Sequence, residues 1–360
     1  MPAPTATTHS PAVALLRDLI RFPSLSGDEA AIADFVEEYV AGHGLTPSRH
    51  ANNVYFGLGD GENVLLLNTH LDVVPPSEGH PHDPFDPVVN DGKLYGRGSV
   101  DAKASGAAMV TALLDLAKSG WQPKGGQVLV ALTTCEEGGG MYNGLQELRP
   151  KLPPLSAALV GEPTELQPCI AQKGLLILKL HAHGTSAHAG RAHRGDNAIA
   201  RAARDIQRLA ALTFDRADPY LGRPMCSVTT IEGGTARNTV PDRCTFAVDI
   251  RTTPAYTHEE IIDTIRGLVE SEVEVYSNRF IPVNTPEAAR IVQACRAAQP
   301  DGTPFGSPTA SDWIFLHDVP VVKIGPGRSQ RSHTAEEHIA IDEVERAVAV
   351  YTSIIQAYFG

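Results

Sequence analysis

The stretch that decides the fold is VLLLNTHLDVVP, Val64–Pro75, an apolar run that ends in His70 and Asp72. Such a run is typical of a buried β-strand. Residues two apart in a strand project from the same face, so the imidazole and the carboxylate would leave the sheet side by side. Open α/β sheets bind ligands beyond the carboxyl ends of their strands, and this pair therefore marks the edge of a candidate site.

Helix and strand patterns alternate through the first half of the chain. Residues 30–44 have helical apolar spacing and end on a glycine, and residues 101–120 read as a helix of small residues. Further strands are predicted at 126–134 and 157–164. This alternation predicts an α/β fold with a mostly parallel sheet that is sandwiched by helices.

The pattern changes at about Gly174, where two predicted helices lie among four predicted strands. This composition fits a separate α+β unit that is inserted into the sheet domain. A long closing helix is predicted from Glu337, with apolar residues recurring on one face. We therefore predict a discontinuous sheet domain, residues 1–173 and 284–360, and an inserted unit, residues 174–283.

Composition excludes several classes of function. The 360 residues carry a formal net charge of -12, which argues against nucleic acid or an anionic membrane surface as a partner. No apolar run approaches the ~18 residues of a membrane span, and the N-terminal segment lacks the pattern of a secretory signal. Five cysteines without a CxxC pair predict reduced thiols. Together these features predict a cytoplasmic protein.

Metal-type side chains recur wherever the predicted sheet domain ends a strand or opens a helix. Besides His70, they are Asp101, Glu136, Glu137, Glu162 and His333. Two histidines with several carboxylates form the ligand set of a dinuclear zinc site or a related divalent site. Two metals share one bridging carboxylate, which leaves one ligand of this set spare. The adjacent pair Glu136–Glu137 supplies it: one carboxylate binds metal and the other acts as general base on a metal-activated water.

Each of these motifs has a simpler interpretation when it is taken alone. An HxD sequence is usually a satisfied polar pair, two adjacent glutamates are usually a solvated corner, and Asp101 can serve as a helix cap. The metal-site interpretation depends on their agreement, because every motif closes a strand or opens a helix where a shared cleft would lie.

Taken in order, a set of motifs resembles the dinuclear zinc deacylases and exopeptidases: HLDVVP, GRGSVDAKASG, EEGGG, GEPT, GTSAHAG, GGTARNTVPDRCTFAVDIR and RSHTAEEHI. That family includes acetylornithine deacetylase, succinyl-diaminopimelate desuccinylase and bacterial glutamate carboxypeptidase. The similarity runs from roughly Leu15 to the C-terminus. It implies a zinc-exopeptidase-like catalytic domain, with the inserted unit as a lid and dimerisation domain of a homodimer.

The resemblance also implies a role for each residue of the set. His70 and Glu162 would bind one zinc, Glu137 and His333 the other, and Asp101 would bridge the two. Asp72 would orient His70 from behind, and Glu136 would be the general base. Co²⁺ or Mn²⁺ are possible substitutes for the two Zn²⁺ ions, because both accept this nitrogen and oxygen ligand set.

Three residues of the inserted unit match further functional positions of the family. His188 matches the histidine that stabilises the oxyanion in a neighbouring subunit's active site, and Asn238 and Arg251 match substrate contacts. This chain has Ala192 near the place of the family's usual proline. Two simpler alternatives stay open: His188 can be satisfied within its own domain, and Arg251 can form a structural ion pair with Asp249.

The segment from FGSPTASD to RSHTAEEHI looks closest to the short ornithine-pathway deacylases. It predicts a metal-dependent amidohydrolase that removes the acyl group from N-acetyl-L-ornithine or N-succinyl-L-ornithine. The reaction would give L-ornithine in arginine biosynthesis, by Glu-assisted attack of a zinc-bridging water. Alternatives are a dipeptidase or carboxypeptidase of the same family and a non-catalytic metal-binding homologue. A phosphate nest in IGPGRSQRSH is a weaker one, because that segment lacks a P-loop context.

Overall fold

The computed structural model describes residues 9–138 and 142–360. The first residues of the segment predicted to lack a secretory signal, and two glycines of EEGGG, lie outside the described residues. The chain divides into two compact units. The first comprises Met1–Ile170, Thr285–Phe305 and Ser311–Gly360, and the second comprises Ala171–Asn284 and Gly306–Ala310. The predicted domain assignment, with its lid and dimerisation roles, stays a prediction.

Strands and helices alternate along the first unit and its return segment. In chain order the strands are β1 (Ser48–His50), β2 (Asn53–Gly59), β3 (Asn63–His70), β4 (Val88–Asn90), β5 (Lys93–Tyr95), β6 (Gly126–Thr133), β7 (Ala157–Val160), β8 (Cys169–Gln172), β9 (Gly174–His183), β10 (Ala187–His188), β11 (Met225–Gly233), β12 (Thr239–Val240), β13 (Arg243–Thr252), β14 (Glu272–Phe280), β15 (Val283–Asn284), β16 (Phe305–Ser307), β17 (Val321–Lys323) and β18 (His338–Ala340). The α-helices are α1 (Pro11–Ile20), α2 (Ala30–Gly42), α3 (Lys103–Lys118), α4 (Gly144–Leu148), α5 (Ala198–Ala211), α6 (His258–Leu268), α7 (Arg290–Ala298) and α8 (Ile341–Phe359).

A mainly parallel sheet organises the first unit. Its strands follow the order β1-β2-β6-β3-β7-β17. The strands β6, β3, β7 and β17 are parallel to their neighbours, whereas β2 pairs with β6 in the antiparallel sense. In register, His70 lies opposite Thr133, and Asn68 lies opposite Val160. The carboxyl ends of β3, β6 and β7 therefore lie side by side, and the predicted α/β fold with a mostly parallel sheet is confirmed.

Close packing of α3 against the sheet fixes the strand ends. Residues 64–70 of β3 are all buried, as a strand covered on both faces should be. The small residues of α3 allow a close approach, and that helix is buried over most of its length. At the end of β7, a Cβ on Gly161 would lie 2.7 Å from side-chain atoms of Met109 and Ser105. Any larger residue there would displace the following Glu162 from its position.

The second unit contains an antiparallel sheet in the order β11-β13-β9-β14. Burial alternates strictly along β9 and β13, and their inward side chains pack with α5 and α6 in one hydrophobic core. The two helices among four strands that the sequence predicted are therefore present.

The start of the closing helix was predicted wrongly. The strand β18 occupies His338–Ala340 and pairs with β5, and α8 begins only at Ile341. Two contacts explain the shift. Glu337 is drawn into a buried ion pair, and Glu343 accepts a hydrogen bond from the backbone N–H of Ala340 at 3.0 Å. His338, expected to face solvent, packs against the ring of Tyr95 instead.

Two expectations about the whole chain can be compared directly with the structure. The five cysteines are free thiols, as predicted. Among the described helices, none combines the length and apolar character that a membrane crossing requires.

Candidate dinuclear metal centre

The side chains at the strand ends form two ligand clusters that share one aspartate. In one, the Nε2 atom of His70 lies 3.3 Å from Oδ1 of Asp101 and 3.9 Å from Oε1 of Glu162. In the other, Nε2 of His333 lies 3.4 Å from Oδ2 of Asp101 and 2.8 Å from Oε1 of Glu137. The ligand atoms within each cluster lie within 4.8 Å of one another. Asp101 therefore turns one carboxylate oxygen toward each cluster.

The hydrogen bonding of His70 prepares it as a ligand. Its Nδ1 atom lies 2.9 Å from the backbone carbonyl oxygen of Asp72, and the ring is buried. A carbonyl oxygen only accepts, so Nδ1 carries the proton. In the neutral ring, Nε2 then keeps its lone pair toward Asp101 and Glu162, which is the tautomer that a metal ligand needs.

Asp72 holds the neighbouring loop more directly than it holds His70. Its carboxylate accepts hydrogen bonds from the backbone N–H groups of Glu136 at 3.1 Å and Glu137 at 3.0 Å. It also accepts one from the hydroxyl of Ser26 at 2.6 Å, whereas the Nδ1 atom of His70 is 3.5 Å away. The orientation of His70 that we expected from this carboxylate therefore comes mainly from the backbone carbonyl.

Asp101 does not cap α3. The helix begins at Lys103, and the N-cap position belongs to Ala102. The carboxylate of Asp101 instead faces the two histidines, so the simpler interpretation of this residue as a helix cap is wrong.

The electrostatics of the clusters reflect crowded carboxylates without a metal. Burial and then the charge of Asp101 raise the pKa of Glu162 to about 8. Hydrogen bonds to Asp101 and Glu137 raise the pKa of His333 to about 10. Burial alone would raise the pKa of Asp101, but the hydrogen bonds with His333 and His70 hold it well below its usual range. Protons thus supply the positive charge that these carboxylates require.

This arrangement fits a pair of divalent cations. Imidazole nitrogens and carboxylate oxygens are ligands that zinc, cobalt and manganese accept. Each cluster offers at least three ligand atoms from different elements, and one carboxylate serves both. The raised pKa values of Glu162 and His333 mark positions where a cation would replace bound protons.

Glu136 lies beside the clusters and belongs to a third group with His70 and Glu137. Desolvation raises its pKa well above that of an ordinary glutamate, and the nearby carboxylates of Glu162, Asp312 and Glu137 add to this effect. A carboxylate with raised basicity beside metal-type ligands can act as a general base near neutral pH.

Two supporting residues escaped the sequence analysis, Arg97 and Glu337. Their buried side chains form an ion pair with an N–O distance of 2.5 Å. The other oxygen of Glu337 accepts hydrogen bonds from the backbone N–H groups of Val100 at 3.0 Å and Asp101 at 3.2 Å. Arg97 also donates to the carbonyl of Thr334, next to His333. The signal was an arginine inside the Gly-rich turn YGRGS, which is unusual at a buried turn.

A third missed residue is the buried Asp312. It accepts hydrogen bonds from Asn143 at 2.7 Å and from the hydroxyl of Thr133 at 3.2 Å. Burial raises its pKa to about 6. Asp312 thus secures both ends of the segment that carries Glu136.

The remaining predicted residues lie in the second unit. His188 is exposed, and its Nδ1 accepts a hydrogen bond from the N–H of Gly190 at 3.1 Å. Asn238 lies next to it, because β10 and β12 pair His188 with Thr239. Arg251 donates from Nε and Nη2 to the carboxylate of Asp249 at 2.9 and 3.2 Å. The ion pair offered as an alternative for Arg251 is therefore present.

Comparison with known proteins places this geometry in a family. The sequence model of peptidase family M20/M25/M40 matches residues 66–357. The chain belongs to this family. It is 30% identical to a succinyl-diaminopimelate desuccinylase of Rhodospirillum centenum, with 97% of each chain covered. It is 29% identical to one of Cereibacter sphaeroides, covering 97% of this chain and 99% of that one.

Solved structures of M20-type enzymes share the fold. Aminopeptidase PepT from Bacillus cereus superposes with a TM-score of 0.79 at 20% identity, over 97% of this chain and 98% of that one. The metallo-carboxypeptidase Sso-CP2 from Sulfolobus solfataricus gives 0.73 at 18% identity, over 96% and 99%. The predicted resemblance is confirmed: this M20 protein is a metal-dependent hydrolase of the deacylase and peptidase type, which acts on amide bonds.

Proposed function

We propose that this M20 hydrolase removes the acyl group from a small N-acyl-L-amino acid. The observation that carries the proposal is the placement of Asp101 between the His70 and His333 clusters, with Glu136 beside them. The names of the desuccinylase relatives favour an N-succinyl substrate such as N-succinyl-L,L-diaminopimelate. The sequence motifs favour N-acetyl-L-ornithine or N-succinyl-L-ornithine.

In this proposal the two clusters hold two divalent ions, with Asp101 bridging. His70 and Glu162 complete one site, and Glu137 and His333 complete the other. When bound, the ions supply Lewis acidity, which polarises the acyl carbonyl and lowers the pKa of a water molecule. Zinc is the expected metal, and cobalt or manganese are possible substitutes.

Glu136 carries the proton transfers. Its carboxylate takes a proton from the attacking water and returns it to the nitrogen of the departing amine. Asp72 holds Glu136 in position through the backbone N–H bond at 3.1 Å. The raised pKa of Glu136 makes it basic enough for the first step and acidic enough for the second.

Residues of the second unit are proposed to contact the substrate. The Nδ1 atom of His188 accepts a hydrogen bond, so the neutral ring carries its proton on Nε2, where it can be donated to an oxyanion. Arg251 uses one edge of its guanidinium on Asp249, and the Nη1 edge is the one proposed to bind a substrate carboxylate, near Asn238. Family resemblance supports a homodimer in which His188 acts across the dimer, and sedimentation analysis tests the dimer.

The experiment compares kcat/KM of the zinc-loaded protein on N-succinyl-L,L-diaminopimelate, N-acetyl-L-ornithine, N-succinyl-L-ornithine and a dipeptide. Chelated protein is the control, and we expect it to be inactive. A preference of at least tenfold for one acyl compound identifies the acyl group and the amino acid. If only the dipeptide is cleaved, the protein is a peptidase and the deacylase proposal fails. If loaded protein cleaves none of them, the substrate class is wrong.

A further inference from the structure

The loop that carries Glu136 and Glu137 is held by a row of acceptors. Its backbone N–H groups 134 to 137 each donate to a side chain of another element. Thr134 donates to Asn53 at 3.1 Å, Cys135 donates to Glu29 at 3.1 Å, and the two glutamates donate to Asp72. The orientation of the loop therefore depends on where these acceptors are fixed.

Glu29 is the most concentrated of these acceptors. One oxygen, Oε1, receives the N–H of Gly27 at 2.9 Å, the N–H of Cys135 at 3.1 Å and the thiol of Cys135 at 3.2 Å. Glu29 is 1% exposed although it stands at the start of α2, where a glutamate would ordinarily reach water. Burial and then Glu29 raise the pKa of Cys135 to about 12, so the sulfur stays a thiol that donates.

The backbone of Cys135 explains why this support is needed. Its φ is +55°, in the left-handed region that is costly for a residue with a Cβ. This conformation turns the chain immediately before Glu136. Two hydrogen bonds from Cys135 to Glu29 stabilise the turn, and without them the segment would relax toward ordinary backbone angles.

The residues just before Glu29 hold the other side of the site. The hydroxyl of Ser24 donates to the carbonyl of Leu71 at 2.7 Å, and the N–H of Val73 donates to the carbonyl of Ser24 at 2.9 Å. Ser26 donates to the Asp72 carboxylate. One short segment, residues 24–29, therefore contacts both the loop that contains Asp72 and the loop that contains Glu136.

We propose that residues 24–29, which we name the brace, position the general base, and that Glu29 is the positioning residue through which they act on Glu136. The proposal rests on the role of Glu136 given above and adds a residue outside the ligand clusters. An error of about 1 Å in the placement of a catalytic group can cost on the order of 10²-fold in rate. The brace prevents such an error by joining the two loops.

The test compares Glu29→Ala with Glu29→Gln, which keeps an acceptor oxygen, and with Glu37→Ala. Glu37 lies on the same helix but pairs with Arg49, so it controls for damage to α2. We expect Glu29→Ala to lower kcat by about 10- to 100-fold, with KM within threefold and two metals bound per chain. Glu29→Gln should recover most of the loss, and Glu37→Ala should leave kcat unchanged.

Two further readouts separate positioning from general destabilisation. In a Glu136→Gln background, Glu29→Ala should have no further effect on kcat, because it acts through Glu136. Amide hydrogen exchange of residues 134–137 in the apoprotein should accelerate in Glu29→Ala and not in Glu37→Ala. If Glu29→Ala fails to fold, Glu29→Asp, which withdraws the carboxylate by one methylene, is expected to show the same kcat loss.

The outcomes distinguish the two proposals. If Glu136→Gln keeps full activity, the general-base assignment fails and the brace loses its target. If Glu136→Gln is inactive but Glu29→Ala and Glu29→Asp have normal kcat, only the brace proposal is overturned. An equal loss from Glu29→Ala in both backgrounds, or unchanged amide exchange, also overturns it.

Discussion

Two neighbouring glutamates at the end of β6 have different surroundings. Glu137 lies 2.8 Å from the Nε2 atom of His333 within a ligand cluster. Glu136 lies in a group with His70, and its pKa is raised well above that of an ordinary glutamate. Since both backbone N–H groups are held by the same carboxylate, that of Asp72, the two side chains diverge from one fixed turn.

This divergence predicts different losses from the two residues. Glu136→Gln should retain two metals per chain and lose at least ~10² in kcat, the low end for acid–base catalysis. Glu137→Gln should bind less metal, because an amide is a weaker ligand than a carboxylate. Metal analysis of the purified variants, followed by steady-state kinetics, measures both effects. Normal metal content in Glu137→Gln, or normal kcat in Glu136→Gln, would contradict the assignment.

At the scale of the elements, sequence pattern predicted most of the architecture. The unbroken apolar run of β3 and the small residues of α3 require burial wherever they lie, so both elements were found from sequence alone. The residues that close strands were recognisable because their chemistry contrasts with the runs before them. For the same reason His70, Glu162 and Asp101 were all singled out before the structure was known.

Residues that act through distant partners were not predictable from their own neighbourhood. Glu29 meets Cys135 across 106 residues of chain, and Glu337 meets Asp101 across 236. Locally, Glu29 looks like a solvated helix start and Glu337 like part of a helical segment. The wrong start of α8 has this cause, since the helical pattern continues through residues that tertiary contacts hold in β18.

The ion pair between Arg97 and Glu337 leads to a prediction at this scale. It joins the turn before α3 to the segment before β18, and both side chains are buried. Glu337→Gln keeps an acceptor for the N–H of Asp101 but leaves Arg97 uncompensated. We expect the free energy of unfolding to fall by about 3–5 kcal/mol, as when one partner of a buried pair is removed. Urea denaturation of the apoprotein measures this change.

A surface pair provides the control for this experiment. Arg149 and Asp318 lie 2.6 Å apart with Asp318 half exposed, so Asp318→Asn should cost no more than about 1 kcal/mol. A similarly small loss in Glu337→Gln would contradict the idea that the buried pair secures these segments.

For the molecule as a whole, the metal site couples stability to pH. In the folded apoprotein, burial and the charge of Asp101 raise the pKa of Glu162 to about 8, against about 4.3 for an unfolded chain. Between these values the folded state holds a proton that the unfolded state has lost. The free energy of unfolding therefore falls as pH rises through this window, by at most about 1.4 kcal/mol per pH unit for one proton.

His333 acts in the same direction at higher pH. Its pKa of about 10 lies above the usual value of about 6.5, so its stabilising contribution is complete below pH 6.5 and is lost as pH rises through 10. The apoprotein should thus be progressively less stable from about pH 5 to pH 10. Metal binding displaces these protons, so metal affinity should rise with pH over the same range.

Unfolding of the chelated protein by urea at several pH values tests this coupling. Glu162→Gln should flatten the decline between about pH 5 and 8, because an amide has no proton to lose there. Glu165→Gln lies on the same loop but changes an exposed ion pair with Arg328, and it should leave the slope as it is. A slope in Glu162→Gln equal to that of the unchanged apoprotein would mean that another group holds the proton. With saturating zinc the slope should largely disappear in the wild type, because the ligands are then held without their protons and bound metal stabilises the folded state at every pH where it saturates.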